Sequence, residues 1–527
     1  MVWSSQSFLM EVLVMLLFLL SMLFGFITYK QTYWKRKGVF HLEPQFFFGN
    51  FKKVTLLRAH IAEVVRELYD EIGDRKLCGI YQVMRPALIV KDPEILRLIL
   101  VKDFQNFMDR GIGFDLKNDP LTRNLLFMSG NEWKQLREKL TPAFTSGKIK
   151  VMFRLMTECS GLLKDYLKES AMKGEDIDVK EALANFTTDV IGTCAFGLQV
   201  NAMSNPNSEF REKGRKIFEP GLSIAVQRLL FILLPNLATK LRLKSQRQDV
   251  TDFFLNVVKE TVDYREKNNV KRNDFLQMLI ELKNKGHVEE DDHRGKVQVA
   301  GTQEQFHGER NDFTGMTDTV LAAQVFIFFV AGFETSSTLM SFALYELALN
   351  PDVQTRLRDE VDATLQECEG NITYEAVQKM QYLDQVISEV SRKYPAIGFL
   401  QRECTTPYDI PGTDVHLDKG TRVIIPVFGL HHDPQYFPDP EKFDPERFSE
   451  NNKAKRHHYV YLPFGEGPRM CIGMRFGLLQ SKVGLVTVLA NYEFSVCKDT
   501  PIPIVFSPTS IGMSSKYGYK LKITNRN

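Results

Sequence analysis

One cysteine in this chain has neighbours that suit the binding of a metal cofactor. The ten residues from Phe464 to Gly473 (FGEGPRMCIG) place Cys471 between a glycine-rich turn and the start of a predicted helix, with Arg469 two residues before it. A metal ion lowers the pKa of a thiol enough to ionise it, and so does the N-terminus of a helix. Glycine at position 473 lets the backbone approach a flat cofactor, and the planar donors of Arg469 suit a carboxylate. The competing interpretation is a buried structural cysteine beside a glycine turn.

A second candidate is an acid next to a hydroxyl in the middle of a long apolar helix. The sequence predicts a helix over 318–349, and its first half is apolar on all sides, which is typical of a core helix. A second membrane span is the alternative, but the apolar run before Glu334 is too short for one. Because an acid or a hydroxyl is costly to bury without a partner, Glu334 and Thr335 need a reason to lie there. Either Thr335 bonds back to the preceding turn, or the two residues relay protons to a bound ligand.

Two further pairs of side chains have helical spacing. Glu389 and Arg392 lie three residues apart on one predicted helix face, which by itself indicates a solvated surface pair of little energetic value. Trp133 and Arg137 lie four residues apart, so both point the same way, and both side chains carry only donors. For this second pair, the competing interpretation is an ordinary amphipathic helix with a half-buried tryptophan.

Together these patterns resemble the cytochrome P450 family. The cysteine string matches the haem-thiolate pattern F-x-x-G-x-R-x-C-x-G at every fixed position, and residues 331–336 (AGFETS) match the oxygen-binding pattern A-G-x-[DE]-T-[TS]. The W-x-x-x-R and E-x-x-R motifs occur in the family's order, and the likeness covers essentially the whole chain. It is greatest to insect microsomal members of detoxification type. Both the resemblance and the periodicity along the chain predict a fold that is mainly α with minor β, preceded by an N-terminal transmembrane anchor helix.

The resemblance implies a role for each residue of these motifs. Cys471 would be the thiolate ligand of the iron of haem b, and Glu334 and Thr335 would relay protons to bound dioxygen. The residues implied to form a buried triad that holds the cysteine loop are Glu389, Arg392 and Arg447. The residues implied to contact the haem or its propionates are Phe464, Arg469, Gly473, Trp133, Arg137, Arg402, Ala331 and Gly332.

The implied activity is insertion of one atom of O2 into a lipophilic small molecule, either a xenobiotic such as a plant compound or insecticide or an endogenous hormone or lipid. Electrons would come from NADPH through a membrane-bound reductase, with cytochrome b5 as a further candidate donor. Lysines that could dock the reductase are Lys134, Lys139, Lys148 and Lys455. Apolar candidates for substrate contacts are Phe114, Leu121, Ile327, Val330, Ala331, Ile397 and Ile511. Two alternatives are a haem-thiolate isomerase or dehydratase that needs no external electrons, and a non-catalytic haem carrier or sensor.

Composition excludes some other classes of protein. The 527-residue chain has a net charge of +2 with charges spread along it, which gives no case for nucleic-acid binding. Its seven cysteines are scattered without metal-finger or disulfide spacing, which fits a reducing compartment. The adjacent His431 and His432 have no further ligand at useful spacing, so we interpret them as loop residues.

The N-terminus predicts a membrane anchor. Residues 12–29 carry no charge, and as a helix they would span about 27 Å, near the thickness of a thin bilayer of the endoplasmic reticulum. A cleaved signal peptide is the competing interpretation, but no Lys or Arg precedes the apolar run and four basic residues follow it between Lys30 and Lys37. This charge distribution predicts a single-pass protein with its catalytic domain on the cytoplasmic side. The apolar segment 229–237 either dips into the membrane or packs in the core. The predicted organisation is an anchor over 1–29, a linker over 30–50 and a haem-binding domain over 51–527.

Overall fold

Helices dominate this chain and strands are few, which confirms the predicted fold class. The computed structural model describes residues 2–114, 116, 118–218, 222–286 and 315–526. In chain order the α-helices are α1 (Val2–Gln31), α2 (Tyr33–Arg36), α3 (Lys52–Thr55), α4 (Ile61–Glu71), α5 (Pro93–Arg97), α6 (Gly130–Leu140), α7 (Ser146–Lys173), α8 (Val179–Ile191), α9 (Glu209–Phe218), α10 (Leu222–Leu233), α11 (Pro235–Lys240), α12 (Gln248–Asn268), α13 (Phe275–Lys285), α14 (Asp318–Leu349), α15 (Pro351–Glu367), α16 (Tyr374–Lys379), α17 (Gln381–Lys393), α18 (Val427–His431), α19 (Glu450–Ala454) and α20 (Met474–Asn491). The strands are β1 (Leu77–Gln82), β2 (Arg85–Val90), β3 (Asp176–Asp178), β4 (Leu400–Glu403), β5 (Tyr408–Asp409), β6 (His416–Leu417), β7 (Arg422–Ile425), β8 (Tyr492–Val496) and β9 (Lys520–Asn525).

The largest sheet has the strand order β1-β2-β7-β4. β1 and β2 form an antiparallel hairpin, and β7 runs parallel to β2 with Leu88 opposite Val423. β4 completes the sheet antiparallel to β7, so that Arg402 also lies opposite Val423. Alternate residues of these strands enter two different hydrophobic clusters, one on each face of the sheet. Arg402 is the buried residue of β4, the edge strand of this sheet, and its backbone is held by the pairing with β7.

The long helix predicted over 318–349 is α14, and it crosses the main hydrophobic core. The hydroxyl oxygen of Thr317 caps its N-terminus by accepting the Val320 N–H at 3.3 Å. The helix is long and apolar enough to cross a membrane, yet 56% of its most apolar window is buried inside the fold. α14 is therefore a core helix, against which α8 and α20 pack.

The N-terminal helix differs from α14 in its surroundings. The apolar stretch Phe8–Gln31 is also long enough to span a membrane, but only 6% of it is buried. The following segment, predicted as a linker over 30–50, packs against the β1–β2 hairpin, with Trp34 fully buried. The composition of residues 283–310, rich in Gly, His, Asp and Glu, predicts an exposed charged loop, and most of that segment lies outside the described residues.

Candidate active site

Cys471 lies just before α20, which begins at Met474, whereas the apolar periodicity of the sequence predicts a helix over 472–489. The Cys471 N–H donates to the Phe464 carbonyl at 2.9 Å, which closes the loop between them. Gly467 has a φ of +73°, and a Cβ there would lie 1.9 Å from the Leu100 carbonyl oxygen. A glycine is therefore required at this turn both by the backbone conformation and by the close approach of a neighbouring chain segment.

Cys471 is surrounded by the protein, yet its sulfur is not covered by other residues. Its side chain is accessible, although enclosure by the protein raises the pKa of the thiol. The Gly473 N–H and the charges of Arg137 and Arg110 oppose that effect on the pKa. At Gly473 a Cβ would meet no atom within 4 Å. The sulfur therefore faces open space although the protein surrounds it, and the bare backbone of Gly473 beside it leaves room for a flat ligand.

Four arginines gather near this sulfur: Arg110, Arg137, Arg402 and Arg469. Burial lowers the pKa of Arg110 to about 10, of Arg402 to about 9 and of Arg469 to about 8. The arginines also repel one another, since Arg110 lowers the pKa of both Arg402 and Arg469. Within the described residues, the carboxylate paired with this group is Asp109, 3.7 Å from Arg469. An arrangement of this kind calls for an anionic ligand.

The contacts of these arginines show how each is held. Arg469 donates to the carbonyls of Met108 and Met128 at 2.9 Å, and its guanidinium lies 3.8 Å from the centre of the Trp133 ring. Arg137 donates to the Met470 carbonyl at 3.0 Å. The buried Nε of Arg402 has no hydrogen-bond partner within the protein. An unpaired buried donor of this type is costly unless a ligand satisfies it.

Arg110 is the member of this group that sequence reasoning missed. It donates to the Leu126 carbonyl at 2.9 Å and lies close enough to Cys471 for their charges to interact. It stands in a loop without helical spacing to any other candidate, so no local pattern pointed to it. With Arg110 included, the donor set fits a haem: one sulfur for the iron, an open face at Gly473, and several arginines for two propionate carboxylates.

On α14, Ala331 and Thr335 lie one turn apart, and both are accessible although the helix crosses the core. The Thr335 hydroxyl donates to the Ala331 carbonyl at 2.6 Å, which is the back-bonding that we considered as an alternative. Ala331 is exposed and Thr335 is partly exposed, on a helix whose residues are mostly buried, which indicates open space along this face, the accessible stripe of α14. Gly332 points elsewhere, since a Cβ there would lie 2.4 Å from Cδ1 of Ile191 on α8. Its missing side chain lets α8 approach α14.

The Glu334 carboxylate is held by a lysine on α8. Lys180 Nζ lies 3.0 Å from Glu334 Oε1, and it also donates to the hydroxyls of Ser337 at 2.9 Å and Thr338 at 2.5 Å. The side chains of Lys180 and Glu334 are each only 16% exposed. Burial lowers the pKa of Lys180, and the negative charge of Glu334 opposes that effect. No local sequence pattern linked Lys180 to Glu334, because 154 residues separate them.

The structure brings the three predicted triad residues together. Glu389 and Arg392 are completely buried and form a two-pronged pair at 2.7 and 2.8 Å, so the solvated surface pair suggested by spacing alone is wrong. Arg447 Nε lies 3.4 Å from the same carboxylate. Arg392 also donates to the carbonyls of His431 and Pro440, both at 2.8 Å. All three side-chain nitrogens of Arg392 donate to groups inside the protein.

The predicted substrate contacts differ in their surroundings. The Phe114 ring packs edge-to-face against Phe127 and at a tilt against Phe231, with ring centres 4.5 and 4.9 Å apart. Ile397 and Ile511 are 41% and 46% exposed, and both Ile327 and Val330 on α14 are partly accessible. Leu121 is fully buried in the main core, so it offers no accessible surface to a ligand.

Comparison with known proteins agrees with this geometry. The family model described as Cytochrome P450 matches residues 41–523. The chain is 42% identical over 499 residues to "Probable cytochrome P450 6a14" of Drosophila melanogaster, which covers 93% of this chain and 95% of that protein. It is also 42% identical over 511 residues to "Cytochrome P450 6k1" of Blattella germanica, with 97% and 96% covered. The chain belongs to the cytochrome P450 family of haem-thiolate monooxygenases.

Proposed function

We propose that this protein is a membrane-anchored monooxygenase that oxidises lipophilic small molecules with electrons from NADPH, delivered by a separate reductase. The observation that carries the proposal is the accessible sulfur of Cys471, enclosed in the protein beside a cluster of buried arginines. Haem bound there would supply the electron-transfer and dioxygen chemistry, and the protein would supply ligation, orientation and protons. The xenobiotics or endogenous lipids that it oxidises belong to this proposal as a class.

Each part of the site supports one task. Cys471 would bind the iron as thiolate, and the Arg402 Nε that lacks a partner would donate to a propionate. Thr335 lies on the accessible stripe of α14, where its hydroxyl can exchange its bond to the Ala331 carbonyl for a bond to a bound ligand. Glu334, one residue earlier, would move protons while Lys180 compensates its charge.

A lipophilic substrate is supported by the side chains near this stripe. Ile327 and Val330 lie one to two turns before Thr335 on α14. The Phe114 ring packs against Phe127 and Phe231. Apolar and aromatic lining with few polar groups is typical of sites for small lipophilic ligands. Water would be excluded by the same side chains.

Membrane attachment is supported by how α1 joins the domain. The side-chain amide of Gln31, the last residue of α1, donates to the carbonyls of Gln45 and Val83, each at 3.2 Å. The ring of Phe24 stacks on Phe46 at 5.0 Å. Phe24 lies seven residues before Gln31, which is about 10 Å along the helix. The contact therefore places the loop of Phe46 beside the apolar part of α1. The anchor would thus fix how the domain sits on the membrane of the endoplasmic reticulum.

The reductase would dock on the side of the cysteine loop. Lys134 and Lys139 lie on α6, the helix that also carries Arg137, and Lys455 is exposed after α19. Lys148, near the start of α7, completes the candidate basic surface. Complementary charge mainly raises association rates, so charge reversal at these lysines should slow reduction and weaken its salt dependence. Cytochrome b5 would use the same surface.

The first experiment is the difference spectrum of the dithionite-reduced protein with carbon monoxide. A strongly red-shifted Soret band supports thiolate ligation by Cys471, and the band should lose that position in Cys471→Ala. NADPH and reductase are then added with lipophilic substrates, and product is measured against NADPH consumed. Turnover without NADPH would contradict the monooxygenase proposal. Protease protection of the domain in microsomes would contradict the cytoplasmic topology.

A further inference from the structure

His431 is a buried histidine that lies between α17 and the segment leading to Cys471. It is the last residue of α18 and is completely buried. Its ring Nε2 accepts the Leu462 N–H at 2.9 Å, and its Nδ1 lies 3.2 Å from the Arg392 carbonyl. A neutral imidazole has one donor and one acceptor, so these two contacts require the proton on Nδ1. The interpretation of this residue as a simple loop residue therefore does not explain its contacts.

Two structural units meet at this ring. Arg392 belongs to α17, and its guanidinium donates to the His431 carbonyl at 2.8 Å while its own carbonyl faces the ring. Leu462 begins the segment that leads to the cysteine. The Leu462 carbonyl accepts the Gly465 N–H at 3.1 Å, and the Cys471 N–H donates to Phe464 at 2.9 Å. A short series of hydrogen bonds thus connects α17 to the backbone of Cys471 through one imidazole.

The surroundings keep that imidazole in a single orientation. Its ring stacks on Tyr461 with centres 5.2 Å apart, and the Tyr461 hydroxyl donates to the Ser388 carbonyl on α17 at 3.0 Å. Burial and the positive charge of Arg392 hold the pKa of His431 at about 3, so the ring stays neutral and Nε2 stays an acceptor. The Leu462 N–H is buried as well, and without this acceptor it would be left unpaired.

We propose that His431 is a positioning residue that joins the Glu389–Arg392 helix to the cysteine loop and holds Cys471 where it can bind iron as thiolate. This inference rests on the proposed function, because it takes Cys471 as the iron ligand. His431 itself touches neither the cysteine nor the cavity. Its effect on ligation is transmitted through the backbone from Leu462 to Phe464.

Two substitutions separate the two bonds of the ring. In His431→Gln the amide oxygen can reach the position of Nε2 and accept the Leu462 N–H. In His431→Asn the shorter side chain can contact the Arg392 carbonyl but cannot reach Leu462. The matched control is His432→Asn, because His432 is also buried but its Nδ1 contacts only the Phe428 carbonyl of its own helix, at 3.0 Å.

The first readout is amide hydrogen exchange at Leu462 in the full-length protein, which reports the bond directly. We expect exchange about tenfold faster in His431→Asn than in wild type, with His431→Gln and His432→Asn close to wild type. The second readout is the carbon monoxide difference spectrum under mild urea. His431→Asn should convert from the thiolate-type band to the band of non-thiolate haem several times faster than His432→Asn does.

The outcomes are distinguishable. If both asparagine variants convert at the same rate and Leu462 exchange is unchanged, the inference about His431 is wrong and the residue serves only packing. If wild type itself gives no thiolate-type band, the proposed function fails first. If His431→Asn cannot be purified, the result with His431→Gln decides. This variant keeps an acceptor for the Leu462 N–H, so about tenfold faster exchange at Leu462 or rapid conversion of the haem band in His431→Gln would also contradict the proposal.

Discussion

The pair formed by Lys180 and Glu334 gives the most informative substitution outside the cavity. Lys180 enters from the first turn of α8 and donates to Glu334, Ser337 and Thr338 on one face of α14. Lys180→Met keeps most of the side-chain volume and removes every one of these donors. Glu334 then remains 16% exposed without its cation, and its carboxylate is no longer fixed on the α8 side.

The size of the effect follows from burial. Removing one partner of a fully buried ion pair lowers the unfolding free energy by about 3–5 kcal/mol. Because Lys180 and Glu334 are both still partly exposed, we expect a smaller loss of about 2–3 kcal/mol for Lys180→Met. The matched control is Lys173→Met, because Lys173 pairs with Glu169 at 2.6 Å with both side chains more than half exposed. An exposed pair contributes about 0.2–1 kcal/mol, so the control should change stability little.

Coupling of electrons to product tests the role of the pair in proton transfer. A well-placed general acid contributes roughly 10²–10⁴ to a rate, so displacing Glu334 should send a large share of the NADPH electrons to hydrogen peroxide. Product, peroxide and NADPH are measured together, along with the solvent isotope effect on product formation. Lys180→Arg, which keeps the charge, should recover part of the coupling. Lys180 has neither role if Lys180→Met matches Lys173→Met in both stability and coupling. Loss of stability without loss of coupling would mean that the pair is purely structural.

Three other substitutions test separate features. Arg392→Ala removes four internal hydrogen bonds and leaves the buried carboxylate of Glu389 without the arginine charge, at a cost of about 3–5 kcal/mol of unfolding free energy. The variant protein should therefore be recovered without haem. Normal haem content in the pyridine haemochrome assay would reject this prediction. Gly332→Ala should destabilise the protein by about 1–3 kcal/mol, because the new Cβ would lie 2.4 Å from Cδ1 and 3.1 Å from Cγ1 of Ile191. Ile191→Val removes only Cδ1, so it should recover part of the lost melting temperature. Burial lowers the pKa of His60 from 6.5 to about 4. As the pH falls below 6.5, the unfolded state therefore binds a proton at His60 that the folded state does not bind, and the unfolding free energy decreases. This penalty reaches about 2 kcal/mol at pH 5, and urea unfolding of His60→Gln should lose about that much less stability between pH 7 and 5 than wild type.

The parts of the site that residue patterns alone predicted are those made by neighbours in the chain, whereas the pairing of Glu389 with the distant Arg447 was implied by the family resemblance. The cysteine loop and the bounds of α14 depend on local turns, caps and periodicity, which short stretches of sequence contain. Lys180 and Arg110 could not be found in that way, because each reaches its partner across more than a hundred residues. Leu121 shows the other limit. An apolar residue before α6 can line a cavity or fill the core, and only the packed structure distinguishes the two.

The motif on α14 has two faces with different tasks. Ala331 and Thr335, one turn apart, lie on the accessible stripe, whereas Gly332 and Glu334 meet α8 through Ile191 and Lys180. The six residues of this motif, 331–336, therefore form both a wall of the cavity and the contact between α14 and α8. Helices that pack this closely respond as units, since interiors are dense and transmit displacement. Substitutions on α8 that never contact a ligand should accordingly change coupling by moving Thr335, whereas equally buried substitutions far from this contact should change stability alone.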